Sequence, residues 1–444
     1  MAKPWLTENH SQEFADAIAD ACLNQYQALP NSGKPSVKGT KHEWTILAGI
    51  CLVQHAALGH SNSAKQKSNQ KDITIDNERY QISVVALGTG LKCLPLSKLS
   101  QRGDAVQDSH AEVITRRGFI KYLLDEVASY NAEQPSIFEP VDEKSRKLRV
   151  KSSYTFHMYI SQAPCGDASM TELEAIQSKE SLLAHMEGKK RKATDQEVEC
   201  NSLSLYTYKF KRQKLHKKSD DIPEGNDFET TTVRRGRVGY QEFGILRTKP
   251  GRVDSEPTLS MSCSDKLARW NVLGLQSALL AMIIDPVYLD SVIVNQMFDL
   301  QALQRALYGR LSNLPTLESP YRRNQPRILH TERQYSCSKQ ILETKVPASD
   351  VITCNTSIEW VLGMPKCEVI VNGRRQGAPK PKNGQYDLKS SPSATNWVYQ
   401  DVKSKAVDYN AAKSALLENC FQDWVQTPED MYLFDLEGII TSHT

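Results

Sequence analysis

The chain of 444 residues lacks any long hydrophobic run. No stretch approaches the roughly 20 apolar residues that a helix needs to cross a bilayer. Its first residues, Met1–Trp5, also lack the apolar segment of a signal peptide. The ten cysteines show no regular spacing of the kind that marks a disulfide framework. We therefore expect a soluble protein of the nucleus or cytoplasm, without membrane contact, whose cysteines are reduced and in part free to bind metal.

Internal repeats and clean linkers are also missing, apart from one charged stretch. Hydrophobic residues make up 39% of the chain and charged residues 24%, which permits a sizeable core. We predict a single domain over residues 1–444, with its core at about 40–435 and a disordered basic insertion at about 171–230. The insertion contains Lys189–Lys192 and suits either a solvated loop or a nuclear-import or RNA-contacting segment. The net charge of +3 does not by itself identify a partner.

Hydrophobic periodicity predicts an alternation of helices and strands. A helix with apolar positions such as Phe14 and Ile18 precedes two strands, and another helix follows His110. The predicted helices cover 11–28, 110–129, 267–284, 300–311 and 401–421, and the predicted strands cover 44–53, 80–87, 154–160, 288–294, 357–362 and 367–372. This order predicts an α/β fold.

Three short motifs contain the residue types of one zinc site. They are Asp108–Glu112, Ala163–Asp167 and Ser262–Lys266. An imidazole (His110) and two thiolates (Cys165 and Cys263) can hold Zn²⁺ tetrahedrally and leave the fourth position open for water. Glu112 then serves as the proton shuttle of a hydrolytic nucleobase deaminase. Each motif alone suits an ordinary turn or a surface helix equally well.

The combination is more specific than its parts. Each predicted ligand lies where a strand or loop gives way to a helix, and the positive end of a helix favours thiolate over thiol. A structural zinc site would close its coordination with a fourth side chain, and a protein that only binds RNA has no need of a proton shuttle such as Glu112. Free-cytidine deaminases and bacterial-type wobble deaminases use Pro-Cys-x-x-Cys, whereas residue 168 here is Ala168.

The same motifs resemble the adenosine deaminases acting on RNA. Ser262–Gln276 is the longest matching segment, and Gly88–Cys93 and Tyr399–Trp424 match as well. The resemblance covers nearly the whole chain outside the insertion. It implies a three-layer, cytidine-deaminase-like fold with a mixed central sheet and a helical C-terminal elaboration. It also implies that His110, Cys165 and Cys263 bind one catalytic zinc ion and that Glu112 moves protons.

The helices that carry the zinc motifs also carry cations. Arg117 lies seven residues after His110, and Lys266 lies three residues after Cys263. Desolvating several like charges without partners costs several kcal/mol each, so an anionic occupant is expected beside them. The resemblance implies that this occupant is a buried inositol hexakisphosphate. The implied contacts are Arg116, Arg117, Lys266, Arg269, Tyr399, Lys403, Tyr409, Lys413 and Trp424.

The C-terminal segment also departs from the family pattern. Gln426 and Thr427 replace charged side chains, and the lysine contributed by the preceding loop is either Lys380 or Lys382. A solvated amphipathic helix remains an alternative for the C-terminal lysines. The resemblance further implies that Asp108 and Lys266 relay hydrogen bonds from the polyphosphate toward the zinc site.

The substrate is expected to present its base already exposed, because a deaminase cannot reach an adenine inside a stacked helix. Only about 40 residues precede the deaminase-like pattern, too few for a double-stranded-RNA-binding module. We therefore expect tRNA as the partner, with no obligate protein partner. The subgroup resemblance implies the adenosine just 3′ of the anticodon, position 37 of alanine tRNA. The candidate RNA contacts are Thr89, Lys92, Arg247, Lys249 and Arg252. A duplex-RNA editor and an inactive RNA-binding protein are the alternatives.

Overall fold

A mixed β-sheet forms the centre of the protein. The structure is a computed structural model that describes residues 3–56, 70–75, 78–143, 146–171, 233–236, 241–249, 255–378 and 397–435. The strands are β1 Val37–Lys38, β2 Lys41–Trp44, β3 Leu47–Ala56, β4 Gln70–Ile75, β5 Glu78–Thr89, β6 Leu91–Cys93, β7 Asp108–His110, β8 Phe138–Pro140, β9 Leu148–Val150, β10 Tyr154–Gln162, β11 Arg234–Arg235, β12 Arg247–Thr248, β13 Ser291–Gln296, β14 Arg327–His330, β15 Val351–Thr353, β16 Thr356–Val361, β17 Glu368–Val371 and β18 Arg374–Arg375.

The strand order in the main sheet is β14-β13-β10-β3-β5-β16-β17-β18, and β4 also pairs with β5. Strands β10, β13 and β14 run parallel to one another, whereas the remaining neighbours are antiparallel. Because the parallel strands end at the same edge of the sheet, the segment after β10 emerges beside the segments after β13 and β14.

Helices cover both faces of this sheet. They are α1 Glu8–Ala28, α2 Ala111–Asn131, α3 Cys263–Leu273, α4 Ser277–Leu280, α5 Leu300–Leu307, α6 Lys339–Glu343, α7 Tyr399–Ser404 and α8 Val407–Asn419. Helix α1 packs Phe14 and Ile18 into one core with strand residues such as Leu47. On the opposite face, α2 packs Phe119 and Leu123 into a second core. The predicted α/β fold with a mixed central sheet is confirmed.

A third apolar cluster carries the C-terminal part of the described chain. Helix α8 contributes Tyr409 and Leu416, which pack with Ala268 and Val272 of α3. Since α3 begins at Cys263, this cluster connects the C-terminal helices directly to one of the candidate zinc ligands. None of the helices within the described ranges is long and apolar enough to cross a membrane.

Two predicted helices are shorter than expected. The helix predicted over 267–284 ends at Gly274, whose φ of +74° favours glycine, and resumes only at Ser277. The helix predicted over 401–421 is divided into α7 and α8 between Ser404 and Val407. The predicted insertion at 171–230 lies, apart from its first residue, outside the described residues.

Candidate active site

His110 and Glu112 are positioned by the junction of β7 and α2. Helix α2 lies close to β5, because a Cβ atom on Gly88 would lie only 2.6 Å from the backbone nitrogen of Thr115. His110 is the N-cap of α2, and Glu112 lies in its first turn. The Glu112 side chain is buried, and its Oε2 atom has no hydrogen-bond partner within the described part of the chain. Burial raises the pKa of Glu112, and the nearby Cys165 raises it further.

Cys165 and Cys263 meet where β10 and α3 approach each other. The Cys263 backbone N–H donates to Cys165 Sγ at 3.4 Å, and Ser264 N–H donates to the Cys165 carbonyl at 3.0 Å. Gly166 makes this approach possible: its φ is +102°, and a Cβ there would lie 2.2 Å from Ser262 Oγ. Ser262 in turn caps α3 by accepting from the Asp265 N–H at 3.2 Å.

The two thiols titrate as a pair. A hydrogen bond from Cys263 holds the pKa of Cys165 well below its ordinary value, and the charges of Lys249 and His110 act in the same direction. Burial and the neighbouring Cys165 raise the pKa of Cys263 well above its ordinary value. Negative charge in this pair is therefore favoured on Cys165 over Cys263.

A buried carboxylate, Asp108, organises the surroundings of these residues. Its Oδ1 contacts His110 Nδ1 at 2.8 Å, which leaves His110 Nε2 available as a ligand. Its Oδ2 accepts from Lys249 Nζ at 2.7 Å, from Ser260 Oγ at 2.6 Å and from Lys266 Nζ. We call the group of Asp108, His110, Lys249, Ser260 and Lys266 the Asp108 centre.

The charges of the Asp108 centre compensate one another. Burial alone would raise the pKa of Asp108, but Lys249, Lys266 and His110 together hold it well below its ordinary value. Burial likewise opposes the charge on Lys249, yet Asp108 and the two cysteines raise its pKa well above the usual range. Lys249 Nζ also donates to Cys263 Sγ at 3.2 Å. The centre thus joins a candidate ligand to its supporting carboxylate through one lysine.

Lys249 and Ser260 are the members of the Asp108 centre that sequence reasoning missed. Lys249 was predicted to contact RNA, but its side chain is only 3% exposed, so that prediction is wrong. Arg247 is corrected on the same ground, because its side chain is 1% exposed and donates to the backbone carbonyls of Gly236 and Glu242 at 3.0 and 2.8 Å. Arg247 and Lys249 alternate with Thr248 and so lie on the same side of the chain, but the sequence does not show that this side is buried.

The other predicted RNA contacts differ in exposure. Thr89 is buried, and its Oγ1 accepts from Ile358 N–H at 2.9 Å, so its predicted contact with RNA stays a prediction. Lys92 is exposed and donates to Thr353 Oγ1 at 2.8 Å, so RNA contact by Lys92 stays a prediction. Arg252 lies outside the described residues.

A cavity of about 580 Å³ is lined by the basic side chains of Lys266, Arg269, Lys403 and Lys413, by the rings of Trp424 and Tyr432, and by Asp108 together with other polar and apolar residues. Arg269 Cζ lies 5.0 Å from the Trp424 ring centroid, and Lys403 Nζ lies 4.1 Å from the Tyr432 ring centroid. Gln426 and Thr427 also line it, and its carboxylates are Asp108 and Glu429. We call the following residues the cation cavity: Lys266, Arg269, Lys403, Lys413 and Trp424, with Arg116 buried beside them.

These cations repel one another. Burial lowers the pKa of Lys403 to about 8, with further lowering by Lys413 and Arg269. Burial also lowers the pKa of Lys413 and, to about 10, that of Arg116. The Nε atom of Arg116 is buried without a hydrogen-bond partner among the described residues. Tyr399 and Tyr409 lie close enough to Arg116 to act on its charge.

Arg117 does not belong to the cation cavity. Its guanidinium contacts Glu359 and, at 3.1 Å, Glu368, which Lys121 also contacts. Glu359 is buried, and Arg117 supplies part of its counter-charge. The expectation that Arg117 lacks an internal partner is therefore wrong. Lys380 and Lys382 lie outside the described residues.

The donor types near Glu112 fit zinc. Among the described residues, no three His, Cys, Asp or Glu side chains lie together as a ready-made metal cluster. The imidazole Nε2 of His110 and the thiols of Cys165 and Cys263 are nevertheless the nitrogen and sulfur donors that zinc prefers. Glu112 adds a buried carboxyl group whose Oε2 forms no hydrogen bond to any residue that the structure describes, so this oxygen can act as an acid or a base.

The chain is similar to known adenosine deaminases over most of its length. The family profile described as the adenosine-deaminase (editase) domain matches residues 86–395. Proteins named tRNA-specific adenosine deaminase 1 are 29% identical: the Homo sapiens protein over 95% of this chain and 99% of its own length, and the Drosophila melanogaster protein over 94% and 96%. The Rattus norvegicus double-stranded RNA-specific adenosine deaminase is 30% identical over 94% of this chain but 32% of its own length. The chain belongs to the adenosine-deaminase (editase) domain family.

Proposed function

We propose that this protein is a zinc-dependent enzyme that converts adenosine to inosine in tRNA by hydrolytic deamination. The observation that carries the proposal is the buried Oε2 of Glu112, which has no hydrogen-bond partner among the described residues and lies beside one imidazole and two thiols. The names and full-length coverage of the tRNA-specific relatives support tRNA as the substrate. The proposed target is the adenosine just 3′ of the anticodon of alanine tRNA, which presents its base in an open loop.

His110 Nε2, Cys165 Sγ and Cys263 Sγ are the proposed zinc ligands. When bound there, zinc supplies a nucleophilic hydroxide at neutral pH. Asp108 orients the imidazole through Nδ1, and Lys249 donates to Cys263 Sγ, where it would limit the negative charge of a thiolate bound to zinc. These supporting contacts come from side chains of the protein itself and orient the proposed ligands.

Glu112 is the proposed proton carrier. It accepts one proton of the attacking water and delivers it to N1 of the adenine ring, and it then carries the second proton, from the new C6 hydroxyl, to the departing amine. The new bond joins oxygen to C6, the C6–N6 bond breaks, and ammonia leaves. A raised pKa suits this role, because the carboxyl must hold the proton between the two transfers.

Replacing the shuttle tests this mechanism. Glu112→Gln keeps the size of the side chain but cannot accept the proton, so we expect loss of inosine formation with retained zinc. Single-turnover assays by inosine mapping and zinc content by elemental analysis separate the two effects. Measurable turnover by Glu112→Gln would refute the shuttle role, and loss of zinc would show that Glu112 acts in metal binding.

A duplex-RNA editor is the second candidate function, favoured by the similarity to the rat double-stranded RNA-specific enzyme. Purified protein should be incubated with single tRNAs and, separately, with a perfect RNA duplex of equal adenosine content. We expect inosine in alanine tRNA at the position 3′ of the anticodon. Efficient editing of the duplex alone would contradict the tRNA proposal.

We also propose that the cation cavity holds inositol hexakisphosphate. Its basic side chains, and the buried Arg116 Nε that has no partner within the described ranges, are suited to a compact polyphosphate, because guanidinium and ammonium groups bind phosphate oxygens strongly. Tyr399, Tyr409 and Trp424 add hydroxyl and indole donors that tolerate burial. Mass spectrometry of the denatured protein should detect the released polyphosphate, and its absence from fully active enzyme would refute the proposal.

The single domain, with its core at about 40–435, and residence in the nucleus or cytoplasm remain proposals. The packing of α8 against α3 supports the first, because the C-terminal helices share a core with a candidate zinc ligand.

A further inference from the structure

A partly exposed aromatic ring lies on a loop that is hydrogen-bonded to the turn after Cys165. Phe243 is 41% exposed, and within the described ranges the only other aromatic side chain in the exposed class is Trp397. Exposure of an apolar ring to water is energetically unfavourable. An exposed ring that is also held firmly in place is therefore a candidate contact surface.

The ring of Phe243 rests on a fixed cation. The Arg305 guanidinium lies 4.7 Å from the ring centroid. Arg305 Nε donates to Asp167 Oδ2 at 3.0 Å, and Nη2 donates to the Asp167 carbonyl at 3.3 Å. Because both contacts restrain the guanidinium, it supports the ring in a fixed position while 41% of the residue stays exposed.

The backbone next to Phe243 is tied to the same carboxylate. Gly244 N–H donates to Asp167 Oδ1 at 2.7 Å, and Asp167 is fully buried. The left-handed φ of +74° at Gly244 turns the chain at this point. Asp167 thus holds both the loop and the cation beneath its aromatic ring.

Asp167 also relates the ring to the site of reaction. It lies two residues after Cys165, in the turn that Gly166 presses against Ser262. The distance between Phe243 and the proposed zinc ligand is therefore set by one short, hydrogen-bonded turn rather than by a free loop. A group that stacks on Phe243 would be held at a fixed distance from the reacting base.

We propose that Phe243 stacks on a base next to the reacting adenosine in the RNA substrate. When a nucleotide leaves its stack to enter an active site, the adjoining base loses a stacking partner, and an aromatic side chain can replace it. The patch is one ring bordered by the Arg234–Glu242 ion pair at 3.0 Å, which suits a base plane better than an apolar protein surface. This inference rests on the proposed action on RNA.

The test uses the full chain and an alanine-tRNA anticodon stem-loop with 2-aminopurine on the 5′ or the 3′ side of the target adenosine. Wild-type protein should quench one of the two probes. Phe243→Ala should abolish that quenching and raise KM on the order of tenfold, with kcat changed much less. Phe243→Trp should restore both, and Trp397→Ala should leave both unchanged as the matched exposed-aromatic control.

Each result separates this inference from the proposed function. Unchanged KM and quenching in Phe243→Ala, with inosine still formed in tRNA, would overturn the stacking role alone. A fall in kcat and in zinc content would also overturn it, because the ring would then support the metal site. Failure of wild-type protein to edit tRNA would overturn the proposed substrate. If duplex RNA were edited with the same dependence on Phe243, the stacking role would still be supported.

Discussion

The Asp108 centre and the cation cavity share Lys266 but balance their charges differently. In the Asp108 centre, one buried carboxylate contacts Lys249, Lys266 and His110, and the pKa of Lys249 rises. In the cation cavity, cations face one another, and the pKa of Lys403 falls to about 8. The first region is therefore electrostatically complete without a ligand, whereas the second is complementary to an anion. A raised lysine pKa, as at Lys249, indicates a charge already neutralised within the protein, whereas a lowered one, as at Lys403, indicates a site that can bind an anion.

The largest expected effect is loss of the carboxylate of the Asp108 centre. Asp108→Asn would leave Lys249 and Lys266 buried without their counter-charge, so we expect the free energy of unfolding to fall by about 3–5 kcal/mol. Urea denaturation measures this change. Asp350→Asn, which disturbs a pair with Lys41 at the surface, serves as the control and should change stability little. Equal stability of Asp108→Asn and wild type would show that the centre is not charge-balanced.

Removal of a charge from the cation cavity should stabilise the protein, in contrast to removal of the Asp108 carboxylate. In protein freed of polyphosphate, Lys403→Met should raise the free energy of unfolding by about 1–3 kcal/mol, because it removes a desolvated and repelled charge. With inositol hexakisphosphate added, the same variant should be less stabilised than wild type. Thermal unfolding at increasing ligand concentration tests both signs. Destabilisation of the ligand-free variant would mean that the cavity already contains its counter-charge.

The pH dependence should differ between ligand-free and loaded protein. Lys403 has a folded-state pKa of about 8 against an ordinary 10.5, so between these values the unfolded chain binds more protons. Ligand-free stability should therefore rise with pH from about 8 to about 10.5, by at most about 1.4 kcal/mol per pH unit from this group. Subtracting the profile of Lys403→Met isolates the contribution. A loaded protein should lack this rise, because bound phosphate favours the charged lysine; a rise of the same size in both forms would argue against an anion site.

The smallest effect is expected at Arg117. Its side chain is 38% exposed, and Lys121 still contacts Glu359 and Glu368 when Arg117 is replaced. Arg117→Met should cost at most about 1 kcal/mol and leave the polyphosphate content unchanged. Arg116→Met, one residue earlier, should instead lower that content, as mass spectrometry of denatured protein would reveal. Loss of polyphosphate from both variants would show that Arg117 also contributes to polyphosphate binding.

Much of the fold and part of the site could be predicted from the sequence. Periodicity located α1, α2 and the main strands, because their apolar positions repeat along one buried face. Periodicity predicted the helix ends less accurately. The apolar pattern continues past Gly274, but the left-handed backbone conformation of Gly274 ends the helix there, and a pattern of apolar residues carries no information about that conformation.

The limits at the site have a physical cause as well. The motifs predicted His110, Glu112, Cys165 and Cys263 as one site, because their spacing and residue types are unusual together, and this assignment stays a prediction. Lys249 resembled a surface cation since nothing in the local sequence reveals that Asp108, 141 residues away, neutralises it. Arg117 was misassigned for the same reason, as Glu359 lies 242 residues along the chain. Charge pairing across such separations depends on the fold.

The position of Lys266 has a consequence for how the two proposed ligands influence each other. Its ammonium contacts Asp108 Oδ2 and Ser260 Oγ while lining the cation cavity, so one group contributes to both regions. Thermodynamic linkage is reciprocal: any factor by which bound polyphosphate strengthens zinc affinity is the factor by which zinc strengthens polyphosphate affinity. Chelation of the metal and depletion of the polyphosphate would then be two routes to the same weakened state.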